Sequence, residues 1–182
     1  MFINGFDILW DEIDDYVADI KSIRSIDQFM FNKPVTFFCG ENGSGKSTLL
    51  EALAIKNGLN PEGGTRNYDF STYDSYSNLH KHMRLWRSRK PDWMYFLRAE
   101  SFYNVATKEM EYSGVFSERY HDQSHGQSFF SVLMKQTNKN GLYLLDEPEA
   151  ALSCQNQLAL LYLIQSCVKQ NCQFIIATHS PI

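Results

Sequence analysis

The chain has 182 residues, 43% apolar, 21% charged and 14% aromatic, with a formal net charge of −4. That size and balance predict one well-packed soluble domain and exclude a disordered or fibrous chain. The longest apolar run, Leu158 to Ile164, is far short of a bilayer span, so no direct membrane insertion is expected.

The first residues lack the basic start of a secretory leader, and Asp7, Asp11, Glu12, Asp14, Asp15 and Asp19 make them acidic instead. Cys39, Cys154, Cys167 and Cys172 form no C-x-x-C pair, which predicts reduced thiols in a cytoplasmic protein. Phe2 to Leu9 reads as an edge strand and Trp10 to Ile20 as a short acidic helix.

Val35 to Cys39 is a short apolar run rich in aromatic residues, as in a buried strand. Directly after it come Gly40, Glu41, Asn42, Gly43, Ser44, Gly45, Lys46, Ser47 and Thr48, a G-x-x-x-x-G-K-[ST] phosphate loop. Its glycines let backbone N–H groups converge on phosphate oxygens. Lys46 supplies a positive charge for the β- and γ-phosphates, and the Ser47 hydroxyl is a ligand for Mg²⁺. A helix from Ser47 to about Lys56, stopped by Asn57-Gly58, turns its positive end to the same anion. The strand–loop–helix context predicts nucleoside triphosphate binding.

Residues 58–90 look like an insertion. Asn60-Pro61-Glu62-Gly63-Gly64 is a turn cluster, 67–78 is polar, and Leu79 to Arg89 reads as a helix. His80, Lys81, His82, Arg84, Arg87, Arg89 and Lys90 make this stretch basic. It is either a solvated face or a surface for nucleic acid.

Trp93 to Leu97, Leu142 to Leu145 and Phe174 to Ala177 read as buried parallel strands. Gln155 to Gln170 carries Leu158, Leu161, Tyr162, Ile164 and Val168 at helical spacing, the crossover that parallel strands require. The Leu142 strand ends in Asp146 and Glu147, 100 residues after Lys46 (46 to 146). Asp146 can hold Mg²⁺ there, and Glu147 can polarise an attacking water. His179, just past the Phe174 strand, is placed to hydrogen-bond a γ-phosphate. Ser124, Gly126 and Gln127 precede a helix from Ser128 onward, where backbone N–H groups and a hydroxyl can meet an anion or merely cap the helix.

Taken together, these runs resemble ABC-type ATPases. Asp146-Glu147-Pro148-Glu149-Ala150-Ala151-Leu152-Ser153 is similar to their Walker B and D-loop run, and Thr178-His179-Ser180 to their switch histidine. Ser124-His125-Gly126-Gln127-Ser128 stands where the family carries its signature. Phe96-Leu97-Arg98-Ala99-Glu100-Ser101-Phe102 and the 60–64 turn resemble a group of small stand-alone bacterial ATPases akin to the RecF, SMC and double-strand-break-repair heads.

The resemblance implies an α/β P-loop NTPase, a mostly parallel sheet flanked by helices with an inserted helical lobe. It implies one ATPase domain over 1–182, with core at about 1–57 and 92–182 and the lobe within about 58–135. ATP and Mg²⁺ are the implied cofactors. Two copies would sandwich ATP as a homodimer, with Ser124, Gly126 and Gln127 acting on the other copy's nucleotide.

The sequence departs from the family in three ways. His125 replaces the first signature glycine of transporters. The Q-loop glutamine has no match, leaving Glu100 as the nearest Mg²⁺ candidate. The family usually adds a strand and helices after the switch histidine, so the chain is either a minimal form or short of a full head at Ile182. The first expectation is therefore a non-transporter ATPase with a nucleic-acid or protein partner, in DNA repair or a related process. The others are the cytosolic ATP-binding subunit of a transporter and a nucleotide-gated module with little turnover.

Overall fold

The computed structural model describes residues 1–65, 76–100 and 125–180. Four strands form a parallel sheet: β3 (Val35–Cys39), β5 (Trp93–Arg98), β6 (Gly141–Asp146) and β7 (Gln173–Thr178). Their spatial order is β3-β7-β6-β5. Every residue of β6 and β7 is buried, because both faces of the sheet are covered. Leu142, Leu144, Ile175 and Ala177 pack with helix α2 (Lys46–Lys56) in one core. Tyr143, Leu145, Phe174 and Ile176 face the other way, into a core shared with Leu133 of helix α4 (His125–Gln136) and with Leu160 and Ile164 of helix α5 (Cys154–Val168). Two covered faces explain why these strands read as continuous apolar runs instead of alternating ones. This is the α/β architecture of a P-loop NTPase: a parallel sheet flanked by helices.

A second, antiparallel sheet has the order β2-β1-β4, from β1 (Ile3–Ile8), β2 (Gln28–Met30) and β4 (Met83–Arg87). β1 is thus a central strand and not the expected edge. Phe2, Ile3, Phe6 and Ile8 bury into the α2 core, while β2 and β4 pair with its two sides. The two sheets are joined by Gln173, which is fully buried. Its Oε1 accepts from Phe2 N (2.6 Å) and Ile3 N (3.0 Å), and its Nε2 donates to Ile3 O (2.8 Å). One side-chain amide so stands in for a neighbouring strand's peptide and pairs the buried N–H groups of Phe2 and Ile3.

Three local expectations are corrected. Trp10 to Ile20 is two 3-10 turns, Trp10–Glu12 and Tyr16–Asp19. An α-helix would line up Asp11, Asp15 and Asp19 at i, i+4, where like charges repel. Asp15 instead accepts from Asn78 N at 2.6 Å. Leu79 to Arg89 is one helical turn, α3 (Leu79–His82), followed by β4. Arg84 and Trp86 both reach Asp7 on β1 (2.7 and 2.9 Å), while Met83 and Leu85 face the core: a period of two, hence a strand. On α5 the buried residues are Leu160, Ile164 and Cys167; Leu158, Leu161 and Tyr162 are exposed. Leu158 and Leu161 line an apolar groove beside Phe37 on the outer strand β3.

The basic stretch is also largely engaged within the chain. Arg84 pairs with Asp7, Arg87 donates to Lys56 O (2.8 Å), and Arg89 lies over the Phe2 ring.

Candidate active site at the carboxyl ends of the parallel strands

β7 lies between β3 and β6, so the segments leaving all three strands converge at one end of the sheet. The phosphate loop leaves β3, Asp146 ends β6, and His179 follows β7. Gly43 and Gly45 have φ of 79° and 85°, values that other residues adopt only with strain. Gly45 is needed for space as well, since a Cβ there would sit 2.5 Å from Ile23 Cδ1. Ile23 belongs to α1 (Lys21–Arg24), whose Ser22 hydroxyl donates to Ser44 O. The 20–25 segment thereby covers the loop from outside.

Lys46 opens α2 and is buried, with its Nζ donating to Gly40 O and Glu41 O (2.8 Å each). The ammonium is held inside the loop by the loop's own carbonyls. One residue on, Ser47 Oγ donates to Asp146 Oδ1 at 2.9 Å. Both belong to a cavity of about 570 Å³ that also meets Arg98, Glu100 and Glu147.

Asp146 is nearly buried, and burial pushes its carboxyl above the usual carboxylate range. The Ser47 hydrogen bond and the Arg98 guanidinium pull it back down, while Glu147 and Glu100 add to the rise. Arg98 is the site's organising cation. Its Nη1 donates to Glu51 Oε2 (2.8 Å) and Pro61 O (3.0 Å), its Nε lies 3.5 Å from Asp146 Oδ2, and its Nη2 lies 3.7 Å from Glu100 Oε2. Burial raises the Glu51 carboxyl too, against the opposing pull of Arg98.

Glu147 adopts a left-handed backbone, φ 48° and ψ 48°, and its N–H donates to Ala177 O at 2.9 Å. A non-glycine residue in that region costs roughly 1–2 kcal/mol, and such strain clusters at working sites. His179 Nδ1 lies 3.7 Å from Glu147 Oε1 and 3.3 Å from Glu149 Oε1.

The structure thus brings together the phosphate loop, Asp146, Glu147 and His179, with Glu100 exposed at the cavity's rim. Of the signature residues, Gly126 and Gln127 fall in the first turn of α4, which packs on α5 and on the 3-10 turn Pro148–Ala151. Ser124 lies outside the described residues. Sequence reasoning gave no role to Arg98, Glu51 or Glu149. A signal existed for two of them: Ser47 and Glu51 share a helix face at i, i+4, and Arg98 is a charge closing an otherwise apolar strand.

Hard oxygen donors at Ser47 and Asp146, facing a polar cavity beside Lys46, fit a Mg²⁺ ion with a triphosphate. No helix among the described residues is long and apolar enough to cross a membrane.

Parts of the chain match known families. An AAA domain model matches residues 17–82, and an AAA ATPase domain model matches residues 123–182. These matches and the architecture support one class, a P-loop ATPase of the AAA/ABC type, and that class implies nucleotide binding. Among individual proteins, the chain is 28% identical over 168 residues to an uncharacterized ABC transporter ATP-binding protein of Haemophilus influenzae, covering 78% of this chain. It is 29% identical over 161 residues to the cytochrome c biogenesis ATP-binding export protein CcmA of Rhizobium etli, covering 79% of this chain. The chain spans 62% of the Haemophilus protein's length and 74% of the Rhizobium protein's.

Proposed function

We propose that the chain hydrolyses ATP, working as an ATP-sandwiched homodimer outside membrane transport. One observation carries the chemistry. The phosphate-loop hydroxyl of Ser47 and the Asp146 carboxylate meet at 2.9 Å on a cavity that Glu147 also lines. A triphosphate end and an acid that can accept a proton from water would therefore share one space.

In this reading the N–H groups of the Gly40–Thr48 loop and the Lys46 ammonium hold the β- and γ-phosphates, leaving their carbonyl partners. Ser47 and Asp146 hold Mg²⁺, with Glu100 within reach of the same cavity. Bound there, Mg²⁺ would draw off charge that builds on the phosphate oxygens. Glu147 accepts a hydrogen bond from the attacking water and then its proton, as the γ-phosphorus–oxygen bond to ADP breaks and phosphate forms. His179 steadies the same water or the γ-phosphate. The second copy's Ser124, Gly126 and Gln127 close the site, with helix α4 turning its positive end to the phosphate.

The variant signature, Ser124-His125-Gly126-Gln127, supports a role apart from transporters. The partner in this reading is a protein or a nucleic acid. The arginines of β4 and Arg89 are already engaged, which favours a protein. A cytoplasmic location goes with this reading.

Glu147→Gln tests it, by light scattering on size exclusion with and without Mg-ATP. Hydrolysis is expected to fall about 10²- to 10⁴-fold with binding intact, and ATP to convert monomer to dimer. Normal turnover in this variant would reject Glu147 as the base; bound ATP without dimerisation would reject the sandwich.

A second reading, the cytosolic ATP-binding subunit of a transporter, is favoured by what the Haemophilus and Rhizobium relatives are called. Stoichiometric co-purification with an integral membrane protein would select it.

A further inference from the structure

Glu149 has no part in the roles above, yet its carboxylate anchors the turn that carries His179. Its Oε1 accepts from Thr178 Oγ1 (2.5 Å), His179 N (3.0 Å) and Ser180 N (3.3 Å). The same oxygen lies 3.3 Å from His179 Nδ1, and the Glu149 side chain is only 12% exposed. The left-handed Glu147 and Pro148 make the sharp turn that brings residue 149 back towards the end of β7.

Two backbone N–H groups and a hydroxyl on one carboxylate fix the path of the chain after β7. The Nδ1 contact adds control of the ring. An ionised carboxylate only accepts hydrogen bonds, so the imidazole nitrogen beside it is favoured to carry a proton. Glu149 Oε1 is the nearer of the two acids to Nδ1, 3.3 Å against 3.7 Å for Glu147 Oε1, and so exerts the stronger electrostatic pull on a proton there.

We propose that Glu149 is a positioning residue. It holds the Thr178–Ser180 turn and selects the Nδ1–H tautomer of His179, leaving Nε2 as the nitrogen turned away from the carboxylate. Its effect on turnover rests on the ATPase reading above; its effect on the tautomer does not.

Long-range ¹H–¹⁵N spectra of the imidazoles test this at pH 8.5, above the ordinary histidine range. The His179 signals are assigned by their loss in His179→Gln. The wild type is expected to show His179 protonated at Nδ1. Glu149→Ala should move it towards the Nε2–H tautomer that free neutral imidazole prefers. In the ATPase assay Glu149→Ala should lower kcat about 10- to 100-fold, with KM for ATP changed less than about threefold. Glu149→Gln keeps an acceptor oxygen for the two N–H groups and should restore most of kcat, with a smaller tautomer change. Should the alanine variant fail to fold, the tautomer in Glu149→Gln decides alone, and an Nε2–H fraction no higher than the wild type's overturns the proposal. So does an Nε2–H tautomer in the wild type. The expected tautomers in a wild type that turns over no ATP would keep Glu149 as the positioning residue and remove the ATPase reading instead.

Discussion

Ser47 and Asp146 are 99 residues apart in the chain, yet Ser47 Oγ donates to Asp146 Oδ1 across 2.9 Å. The two oxygen donors proposed for Mg²⁺ are thus assembled by the fold itself. Ser47→Ala removes one of them and leaves Asp146, already pushed towards protonation by burial, without that donor. Loss of a group that holds the metal or its ligands costs about tenfold to a hundredfold in metal affinity, and Mg-ATP affinity should fall on that scale. Affinity for ATP in EDTA should fall less than about threefold. Titration calorimetry under both conditions separates the two; equal losses would mean that Ser47 does not serve the metal.

Arg98 pairs with two acids whose carboxyls burial pushes above the usual carboxylate range, Glu51 and Asp146. Removing one partner of a buried ion pair costs about 3–5 kcal/mol, because the other charge is stranded. Arg98→Met should lose stability on that scale in urea unfolding. The double variant Arg98→Met/Glu51→Met should recover part of the loss, since it strands one acid fewer. A single variant as stable as the wild type would reduce the network to a surface contact.

Gly45 combines a φ of 85° with a side-chain space occupied by Ile23. Gly45→Ala should cost about 2–4 kcal/mol, the sum of left-handed strain and overpacking. Adding Ile23→Ala should relieve the crowding but not the strain, so nucleotide binding should stay weak in the double variant. Thermal unfolding and a fluorescent nucleotide titration follow the two effects independently.

Asp7 gives a prediction in pH. Hydrogen bonds from Arg84, helped by Trp86, hold its carboxyl below the ordinary value of 3.8. The unfolded chain therefore binds this proton more readily than the folded one. The stabilisation is complete above the unfolded pKa and is lost as pH falls through the lower, folded pKa. Urea midpoints measured from pH 7 down to pH 3 should fall less steeply for Asp7→Asn than for the wild type. Parallel curves would show that the pair has no linkage to folding.

The sequence was most informative where one local rule sufficed. Val35–Cys39 and the glycine loop specify a strand, a turn and a helix by composition alone, and β5, β6 and β7 lie where their apolar runs are. Asp146 and Glu147 were readable because two acids close such a run. What was hidden depended on partners far along the chain. β1 is central only because residues 83–87 come to lie beside it. Those residues form a strand because Asp7 draws Arg84 and Trp86 to one side. The apolar stripe of α5 is only partly buried for a related reason: periodicity marks the stripe, but β3 is the outer strand of the parallel sheet among the described residues and leaves part of the stripe uncovered. Arg98 and Glu149 carry no role in the sequence alone, because the acids and amides they meet at the ends of β5 and β7 come from other parts of the chain.

Gln173 sets an order on synthesis. The peptide groups at residues 2 and 3 find their buried partner 171 and 170 positions later, so that partner leaves the ribosome long after they do. β1 can pair with β2 and then β4 while the chain is still being made, but the apolar face it presents to α2 cannot be sealed to the parallel sheet until β7 arrives. Contacts of such long range fold slowly and leave sticky intermediates. Until β7 arrives, the core between α2 and the parallel sheet lacks Ile175 and Ala177, so chaperone capture or self-association can compete with completion of the fold.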